Sequence, residues 1–190
     1  LKEKIIRKNN SKKNVILGVG RLTSQKNFED LIYAFSKFSM KHKNYILNII
    51  GDGYQMSYLR EIVKKLNLEN RVFLKGYKKN VEKEYMRAKI FVLPSVYEGL
   101  GNVLIDALRL SIPCISTNCK SGPEEILCYG KGGIVVQKKN IKALHKALEL
   151  SVNKYSLSMQ KMRYAQKKLV RFDANNQSSK YIKFLNSALR

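Results

Sequence analysis

Two basic residues lie in a glycine-containing loop near the start of the chain. Gly20 ends an apolar run, Arg21 follows it directly, and Lys26 comes just before a run with helical periodicity. The N-terminus of a helix has partial positive charge and unpaired N–H groups, so cations beside it create a site for a diphosphate. Taken alone, the same residues could form an ordinary glycine-rich turn with surface cations.

A second loop combines two carboxylates with glycines. It contains Glu98, Gly99, Leu100, Gly101 and Asn102, and Asp106 lies eight residues after the first of these. Glycines leave backbone N–H groups open where a helix begins, and such groups attract anions. Carboxylates accept hydrogen bonds from hydroxyls, so the two acids could hold a sugar on one side of a diphosphate and a ribose on the other.

Two shorter loops have weaker signals. A Gly-Asp-Gly turn at residues 51–53 is typical of a bend that needs glycine. Tyr77 follows Gly76 in the loop after the apolar run at 72–74. Backbone groups of that loop could bind the edge of a base, with the Tyr77 ring packed beside it. A surface turn would produce the same residues, and both interpretations stay open.

Short apolar runs alternate with longer amphipathic runs, and these elements must position the loops. The predicted strands lie at 15–19, 45–50, 72–74, 90–93, 113–116 and 134–136, with helices predicted between them. The alternation predicts an α/β fold with a Rossmann-like parallel sheet of about six strands and helices on both faces. In such a sheet, ligands bind beyond the carboxyl ends of the strands, which is where these loops lie.

The helix boundaries divide the chain into three parts. Asn27 and Asp30 are predicted to cap the first helix, as N-cap and N3 residues of a capping box. A short helix is predicted over 81–88, and two more over 156–171 and 175–189, after the strands stop. Residues 1–13 are predicted to be a basic linker or tail, 14–152 a Rossmann-like ligand-binding domain, and 153–190 helices that pack on it.

Three sequence patterns together resemble the group 1, or family 4, nucleotide-sugar glycosyltransferases. They are G-R-L followed by K-N in the first loop, E-G-L-G-N-V-L-I-D-A in the second, and S-G-P-E-E-I-L from Ser121. The last pattern is also what helix capping alone would produce. The resemblance covers about residues 14–150 and implies one half of a GT-B fold, the C-terminal donor-binding half. The N-terminal half of such enzymes lies outside these residues.

The resemblance implies a role for each matched residue. Arg21 and Lys26 match the pair that binds the diphosphate, and Glu98 matches the acid that contacts the donor sugar. Asp106 matches the second acid of the E-x7-E motif, which contacts ribose; aspartate is one methylene shorter, so its contact could be direct or bridged by water. The remaining donor-binding residues implied are Gly20, Tyr77 beside the base, and the segment Gly99, Leu100, Gly101 and Asn102 near phosphate and sugar.

The same resemblance implies the reaction and its partners. It is a retaining transfer of a hexose or N-acetylhexosamine from a nucleoside diphosphate sugar, with UDP expected, to an acceptor hydroxyl in bacterial surface glycan synthesis. No metal or other cofactor is expected, because two cations and a helix start can balance the diphosphate charge. The expected partners are the donor, an N-terminal acceptor domain without which this domain is inactive, and an anionic membrane surface or lipid-linked acceptor.

The net charge of +23, from 37 basic and 14 acidic residues, admits an alternative. Such a charge attracts nucleic acid, so a basic nucleic-acid-binding module is one alternative. The sequence has no recognition helix and no aromatic RNA-binding motif, and no specific nucleic acid is expected. A GT-B relative with other chemistry, such as a phosphorylase or a sugar-nucleotide epimerase, is a further alternative.

The cysteines and the apolar runs indicate the compartment. Cys114, Cys119 and Cys128 are odd in number and lack paired spacing, which favours free thiols in a reducing compartment. No apolar run reaches the roughly 18 residues that a membrane-spanning helix needs. The expected location is the cytoplasm, with basic helices able to rest on the inner face of the cytoplasmic membrane.

Overall fold

A computed structural model of the protein describes residues 14–119 and 122–173. The strands are β1 Val15–Val19, β2 Ile46–Ile50, β3 Val72–Leu74, β4 Ala88–Leu93, β5 Cys114–Thr117 and β6 Ile134–Val136. The helices are α1 Phe28–Lys41, α2 Met56–Lys65, α3 Glu82–Arg87, α4 Asn102–Arg109, α5 Pro123–Ile126, α6 Ile141–Asn153 and α7 Tyr155–Lys168, followed by a 3-10 turn at Leu169–Phe172. All six predicted strands form, each within two residues of its predicted ends.

The six strands make one parallel sheet in the order β3-β2-β1-β4-β5-β6. The chain moves from β1 towards one edge through β2 and β3, then returns to the middle and moves to the other edge through β4, β5 and β6. The loops after β1 and β4 lie side by side at one edge of the sheet, but they lead to helices on opposite faces, α1 and α4. In parallel sheets this reversal point opens the crevice in which ligands bind. The predicted α/β fold class is confirmed.

Side chains that alternate along the central strands build two separate cores. Ile16 of β1 and Val92 of β4 point to the face covered by α1, α2 and α6. Leu17 and Phe91 point to the opposite face, which packs against α4, α5 and α7. Successive strand residues face opposite sides, so an unbroken apolar run serves both cores. Each fully buried side chain of this size contributes about 1.5–3 kcal/mol.

Three helix predictions need correction. Asn27 does precede α1, but its backbone is left-handed (φ 51°) and its side chain makes no capping bond; Nδ2 donates instead to Oδ2 of Asp30 at 2.6 Å. The predicted capping box is therefore wrong. The helix predicted over 81–88 ends at Arg87, because Ala88 is already extended and begins β4. The helix predicted over 156–171 ends at Lys168 and tightens into the 3-10 turn.

Several predictions concern residues outside the described part of the chain. They are the tail over 1–13, the helix over 175–189, and Ser121 of the S-G-P-E-E-I-L pattern. Among the described helices, none is long and apolar enough to cross a bilayer.

Candidate functional site

Lys26 and Glu98 meet above the reversal point of the sheet. Lys26 lies in the loop after β1 and Glu98 in the loop after β4, and Lys26 Nζ is 2.5 Å from Glu98 Oε1. The side chains are only 13% and 6% exposed, so the pair is largely buried between the two loops rather than on a solvated face. The sequence placed both residues at the site but did not predict this ion pair. An ammonium group has three N–H donors, so two remain for other acceptors.

The two loops that hold this pair are tied to each other. The backbone N–H of Val96 donates to the carbonyl of Gln25 at 2.8 Å, and Gln25 Nε2 donates to the carbonyl of Tyr97 at 3.0 Å. The Lys26 stem lies over Gly20, where a Cβ would come within 3.3 Å of its Cδ and Cε. Glycine at this position therefore leaves room for the lysine to cross the crevice.

A serine side chain also fixes the position of the Glu98 carboxylate. Ser95 Oγ donates to Glu98 Oε1 at 2.6 Å, so the serine and the lysine use the same carboxylate oxygen. Neither of these two donors occupies Oε2. The carboxylate is thus fixed in direction while it keeps acceptor capacity for a ligand hydroxyl.

The start of α4 lies next to Glu98 in the chain. Gly101 precedes the helix with a left-handed backbone (φ 79°), and no described side chain caps the helix. Its first N–H groups are therefore available to an anion, as the sequence predicted. Gly122 packs against this segment from the β5 loop, because a Cβ there would lie 2.0 Å from the carbonyl oxygen of Gly99 and 2.7 Å from that of Leu100.

Asn102 and Asp106 share one face of α4. They are four residues apart in the helix and both are exposed, so their side chains are neighbours along the same side. Burial raises the pKa of the Asp106 carboxyl although the residue as a whole is exposed, and Arg109 opposes this effect. Asp106 lies one turn into the helix, where its exposed carboxylate can accept hydrogen bonds from a ligand hydroxyl.

Arg21 lies near the start of the loop after β1, five residues before Lys26. Its backbone is fixed by its neighbours, since Gly20 N–H donates to the Ile50 carbonyl at 3.0 Å and Leu22 N–H donates to the Asp52 carbonyl at 2.9 Å. The Arg21 side chain is exposed, and no hydrogen bond or ion pair among residues 14–119 and 122–173 fixes its guanidinium. The structure thus brings Lys26 and Glu98 into contact and leaves Arg21 in the same loop with its side chain extended into solvent.

The loop after β3 is anchored to its neighbours at two points. The Gly76 carbonyl accepts a bond from Gly51 N–H at 2.9 Å, which ties it to the loop after β2. Glu84 of α3 forms ion pairs with Lys75 (3.2 Å) and Lys78 (2.5 Å). Tyr77, between the two lysines, is 76% exposed, and its place beside a base stays a prediction.

Glu84 is an anchor that the sequence analysis missed. Glu84 is only 4% exposed, although nothing in the local sequence of α3 predicts that this glutamate is buried. The available signal was two lysines, Lys78 and Lys75, which come six and nine residues before Glu84. A helix brings together side chains that are three or four residues apart, so this longer spacing does not predict a contact. Only the turn between β3 and α3 places them side by side.

We expect Glu84→Gln to lower the free energy of unfolding by about 1–2 kcal/mol at neutral pH, less than for a fully buried pair because the lysines are about a third exposed. Burial would raise the pKa of Glu84, but hydrogen bonds from Lys78 and Lys75 outweigh it and the pKa is lowered. The ionised carboxylate therefore stabilises the fold above pH 4.5, and this contribution is lost as the pH falls below that value. Urea titrations across this range should show the difference between wild type and variant shrinking with acidification.

The matched control for that experiment is Glu82→Gln, which removes an exposed carboxylate from the first turn of the same helix. Its cost should be near zero and should not depend on pH in the same window. A Glu84 variant that behaves like this control would contradict the anchor.

The described residues contain three buried cysteines and no group of metal ligands. Cys114, Cys119 and Cys128 are buried free thiols, which confirms the prediction from their spacing. No cluster of three or more His, Cys, Asp or Glu side chains in residues 14–119 and 122–173 could hold a metal ion. Metal independence of the reaction stays a prediction.

The sequence of this chain matches a known family of proteins. The sequence model of the family described as glycosyl transferases group 1 matches residues 2–169. An uncharacterized glycosyltransferase of Methanocaldococcus jannaschii is 43% identical over 136 residues, which is 65% of this chain and 34% of that protein. The N-acetylgalactosamine-N,N'-diacetylbacillosaminyl-diphospho-undecaprenol 4-alpha-N-acetylgalactosaminyltransferase of Campylobacter jejuni is 35% identical over 138 residues, 73% of this chain and 37% of that protein. The chain spans about a third of the length of these relatives.

A solved structure shares the fold over nearly the whole chain. HepE of Anabaena, crystallised in complex with UDP, matches with a TM-score of 0.82 at 20% sequence identity, covering 93% of this chain and 49% of that one. At this identity the likeness shows the fold alone. The six-stranded parallel sheet is that of a GT-B glycosyltransferase domain.

Proposed function

Because the chain belongs to the group 1 glycosyltransferases and has the fold of a GT-B domain, we propose that it binds the sugar donor of a retaining hexosyltransferase. The donor is a nucleoside diphosphate sugar, with UDP as the nucleotide and a hexose or N-acetylhexosamine as the transferred group. The acceptor is a hydroxyl of a growing bacterial surface glycan. Lys26, Arg21 and Glu98 act on the donor.

The observation that carries this proposal is the Lys26–Glu98 pair. A cation and a carboxylate, each nearly buried, meet at 2.5 Å where the strand order reverses, beside the open N-terminus of α4. A nucleotide sugar needs this combination, because its diphosphate is anionic and its sugar offers hydroxyls.

The chemical step is transfer of the glycosyl group between two oxygens. The bond from the anomeric carbon to the phosphate oxygen breaks, and a bond forms to the acceptor oxygen, whose proton leaves with the nucleoside diphosphate. Negative charge grows on the phosphate in the transition state, so cations fixed there accelerate the step. One charge pair about 4 Å apart is worth roughly 4 kcal/mol at an effective dielectric of 20. Lys26, Arg21 and the α4 amides supply this stabilisation.

The names of relatives and neighbours support the finer choices. UDP was bound in the Anabaena structure, and a pneumococcal O-GlcNAc transferase of the same fold was crystallised with UDP and GlcNAc. The Campylobacter relative is named as a 4-alpha-N-acetylgalactosaminyltransferase that acts on a diphospho-undecaprenol lipid. These names support UDP as the nucleotide and an N-acetylhexosamine as the transferred sugar; retention is proposed from the resemblance to the family.

Glu98→Gln should weaken the binding of a nucleotide sugar by about tenfold or more, because a hydrogen bond to a charged group is worth about 1.5–3 kcal/mol. The affinity for the free nucleoside diphosphate should change little, since it lacks the sugar that the carboxylate contacts. Calorimetric titration of both ligands into both proteins checks this. Equal losses for the two ligands would exclude a sugar contact by Glu98.

No metal takes part in the proposed reaction. The cations of the crevice and the α4 amides meet the diphosphate instead. Turnover by the complete protein should therefore be the same with and without EDTA. Loss of turnover in EDTA that Mg²⁺ or Mn²⁺ restores would contradict this.

The proposed partners extend beyond the donor. An N-terminal domain of the same polypeptide supplies the acceptor side of the cleft, so the present domain alone binds nucleotide but does not catalyse transfer, because half a cleft excludes little water. The +23 charge suits a site at the cytoplasmic face of an anionic membrane, where a lipid-linked acceptor would lie. Family membership speaks against the basic nucleic-acid-binding module, and product analysis distinguishes a transferase from a phosphorylase or an epimerase.

A further inference from the structure

A buried polar cluster lies directly behind Glu98, and the proposed reaction does not use it. Its members are Ser95, Thr117 and Cys119, which are 0%, 3% and 1% exposed. Thr117 ends β5 and Cys119 follows in the next loop, whereas Ser95 follows β4. Polar side chains buried this deeply are costly unless they form hydrogen bonds, so their arrangement needs a reason.

Two of these side chains bond to the backbone of Ser95, and the Ser95 hydroxyl bonds to the Glu98 carboxylate. Thr117 Oγ1 donates to the Ser95 carbonyl at 2.5 Å, and Cys119 Sγ donates to the same oxygen at 3.2 Å. Ser95 Oγ in turn donates to Glu98 Oε1 at 2.6 Å. The β5 loop thus holds the backbone of the residue whose hydroxyl directs Glu98.

The thiol is suited to act as a donor here. Burial raises the pKa of Cys119, a hydrogen bond with Thr117 lowers it, and the negative charge of Glu98 raises it again. The group therefore keeps its proton at neutral pH and can donate it to the Ser95 carbonyl. Two donors on one carbonyl restrict the rotation of that peptide unit more than one donor would.

We infer that Thr117 and Cys119 are positioning residues that set the direction of the Glu98 carboxylate and thereby the choice among donor sugars. The inference rests on the proposed function, because it needs Glu98 to contact a sugar hydroxyl. A small rotation of Ser95 would move its hydroxyl and the Glu98 oxygen bonded to it. A misplacement of about 1 Å near reacting groups can cost about 10²-fold in rate.

The test compares kcat/KM for two nucleotide sugars that differ only in the configuration of one sugar hydroxyl, such as UDP-N-acetylglucosamine and UDP-N-acetylgalactosamine. The variants are Cys119→Ala, Thr117→Val and Cys119→Ser in the complete protein. A ratio of two donors is used because a partly unfolded preparation lowers both values equally and leaves the ratio unchanged. Loss of discrimination therefore reports on the direction of Glu98 and not on folding.

We expect Cys119→Ala and Thr117→Val each to reduce the preference for the better donor by about fivefold or more, because a misaligned acceptor no longer distinguishes the hydroxyl. Cys119→Ser keeps a donor and should restore most of the preference. The control is Cys114→Ala, which removes another buried thiol from β5 whose Sγ donates to the Ile112 carbonyl, away from Glu98. Affinity for free UDP should be unchanged in all four variants.

The outcomes separate this inference from the proposed function. If the wild type transfers sugar and both Cys119→Ala and Thr117→Val keep its donor preference, the positioning role is wrong and the proposed function stands. If Cys114→Ala changes the donor preference as much as Cys119→Ala and Thr117→Val do, any change in the packing of β5 has this effect, and the inference is also wrong. If the wild type neither binds nor uses any nucleotide sugar, the proposed function fails and the inference fails with it.

Discussion

Replacing Lys26 by alanine in the complete protein should reduce turnover by about 10²-fold or more, while the protein stays folded at the assay temperature. The variant removes a fixed cation from the phosphate whose charge grows in the transition state. It also leaves the Glu98 carboxylate, 6% exposed, without its partner at 2.5 Å. A buried charge without its partner destabilises the fold, so the melting temperature should fall as well. Steady-state kinetics with the nucleotide sugar, together with a thermal melt, measures both effects.

The control for this experiment is Lys64→Ala, which removes an exposed cation near the C-terminus of α2, away from the carboxyl edge of the sheet. It should change neither turnover nor stability noticeably.

Arg21→Ala removes the other cation of the loop and should lower turnover as much as Lys26→Ala does. It should cause little loss of stability, because the Arg21 side chain is exposed. Near-normal turnover in both loop variants would remove the leaving-group role from these residues.

Gly122→Ala should strongly weaken productive donor binding, although no donor contact is assigned to Gly122 itself. A Cβ at this position would lie 2.0 Å from the Gly99 carbonyl oxygen and 2.7 Å from that of Leu100, and both atoms belong to the backbone. Either the loop that leads into α4 or the segment that holds Gly122 must then move, and we expect the loop to be displaced. Such a shift of the anion-binding amides should lower kcat/KM by about 10²-fold. Kinetics and calorimetric titration with nucleotide sugar measure the loss.

Gly130→Ala is the matched control for that substitution. Gly130 also has a left-handed backbone (φ 88°), but a Cβ there would meet nothing within 4 Å. Both variants therefore suffer the backbone strain of about 1–3 kcal/mol, and only Gly122→Ala adds a collision. Equal activities of the two variants at a temperature where both are folded would show that the 99–101 loop is not part of the donor site.

The fold was predictable because its signals are local. An unbroken apolar run such as 15–19 is what a strand covered on both faces requires, and its length and flanking glycine separate it from a helix. The reversal of strand order was not predictable from such runs, because they do not show which strands pair. Once the order is known, the place of the crevice follows from the topology.

The sequence predicted which loops hold Lys26 and Glu98 but not the contacts that these residues make. The patterns around Lys26 and Glu98 pointed to the correct loops, but their ion pair joins residues 72 positions apart, and no local pattern encodes such a distance. Glu84 was missed for the same reason, since its two lysines come from another element. The Asn27 cap failed because a left-handed residue before α1 turns its side chain towards Asp30. This contact between side chains three residues apart replaces the bond to the backbone that a cap would make.

The position of the bound nucleotide tests the central claim most directly. Titration of the isotope-labelled chain with UDP, followed by backbone-amide NMR, should shift the signals of the loops after β1, β3 and β4 and of the first turn of α4. The Lys26→Ala protein should show weaker shifts in the same places. Shifts confined to residues away from these loops, such as the lysines of α2 and α6, or equal shifts in both proteins, would contradict a diphosphate site at the reversal point of the sheet.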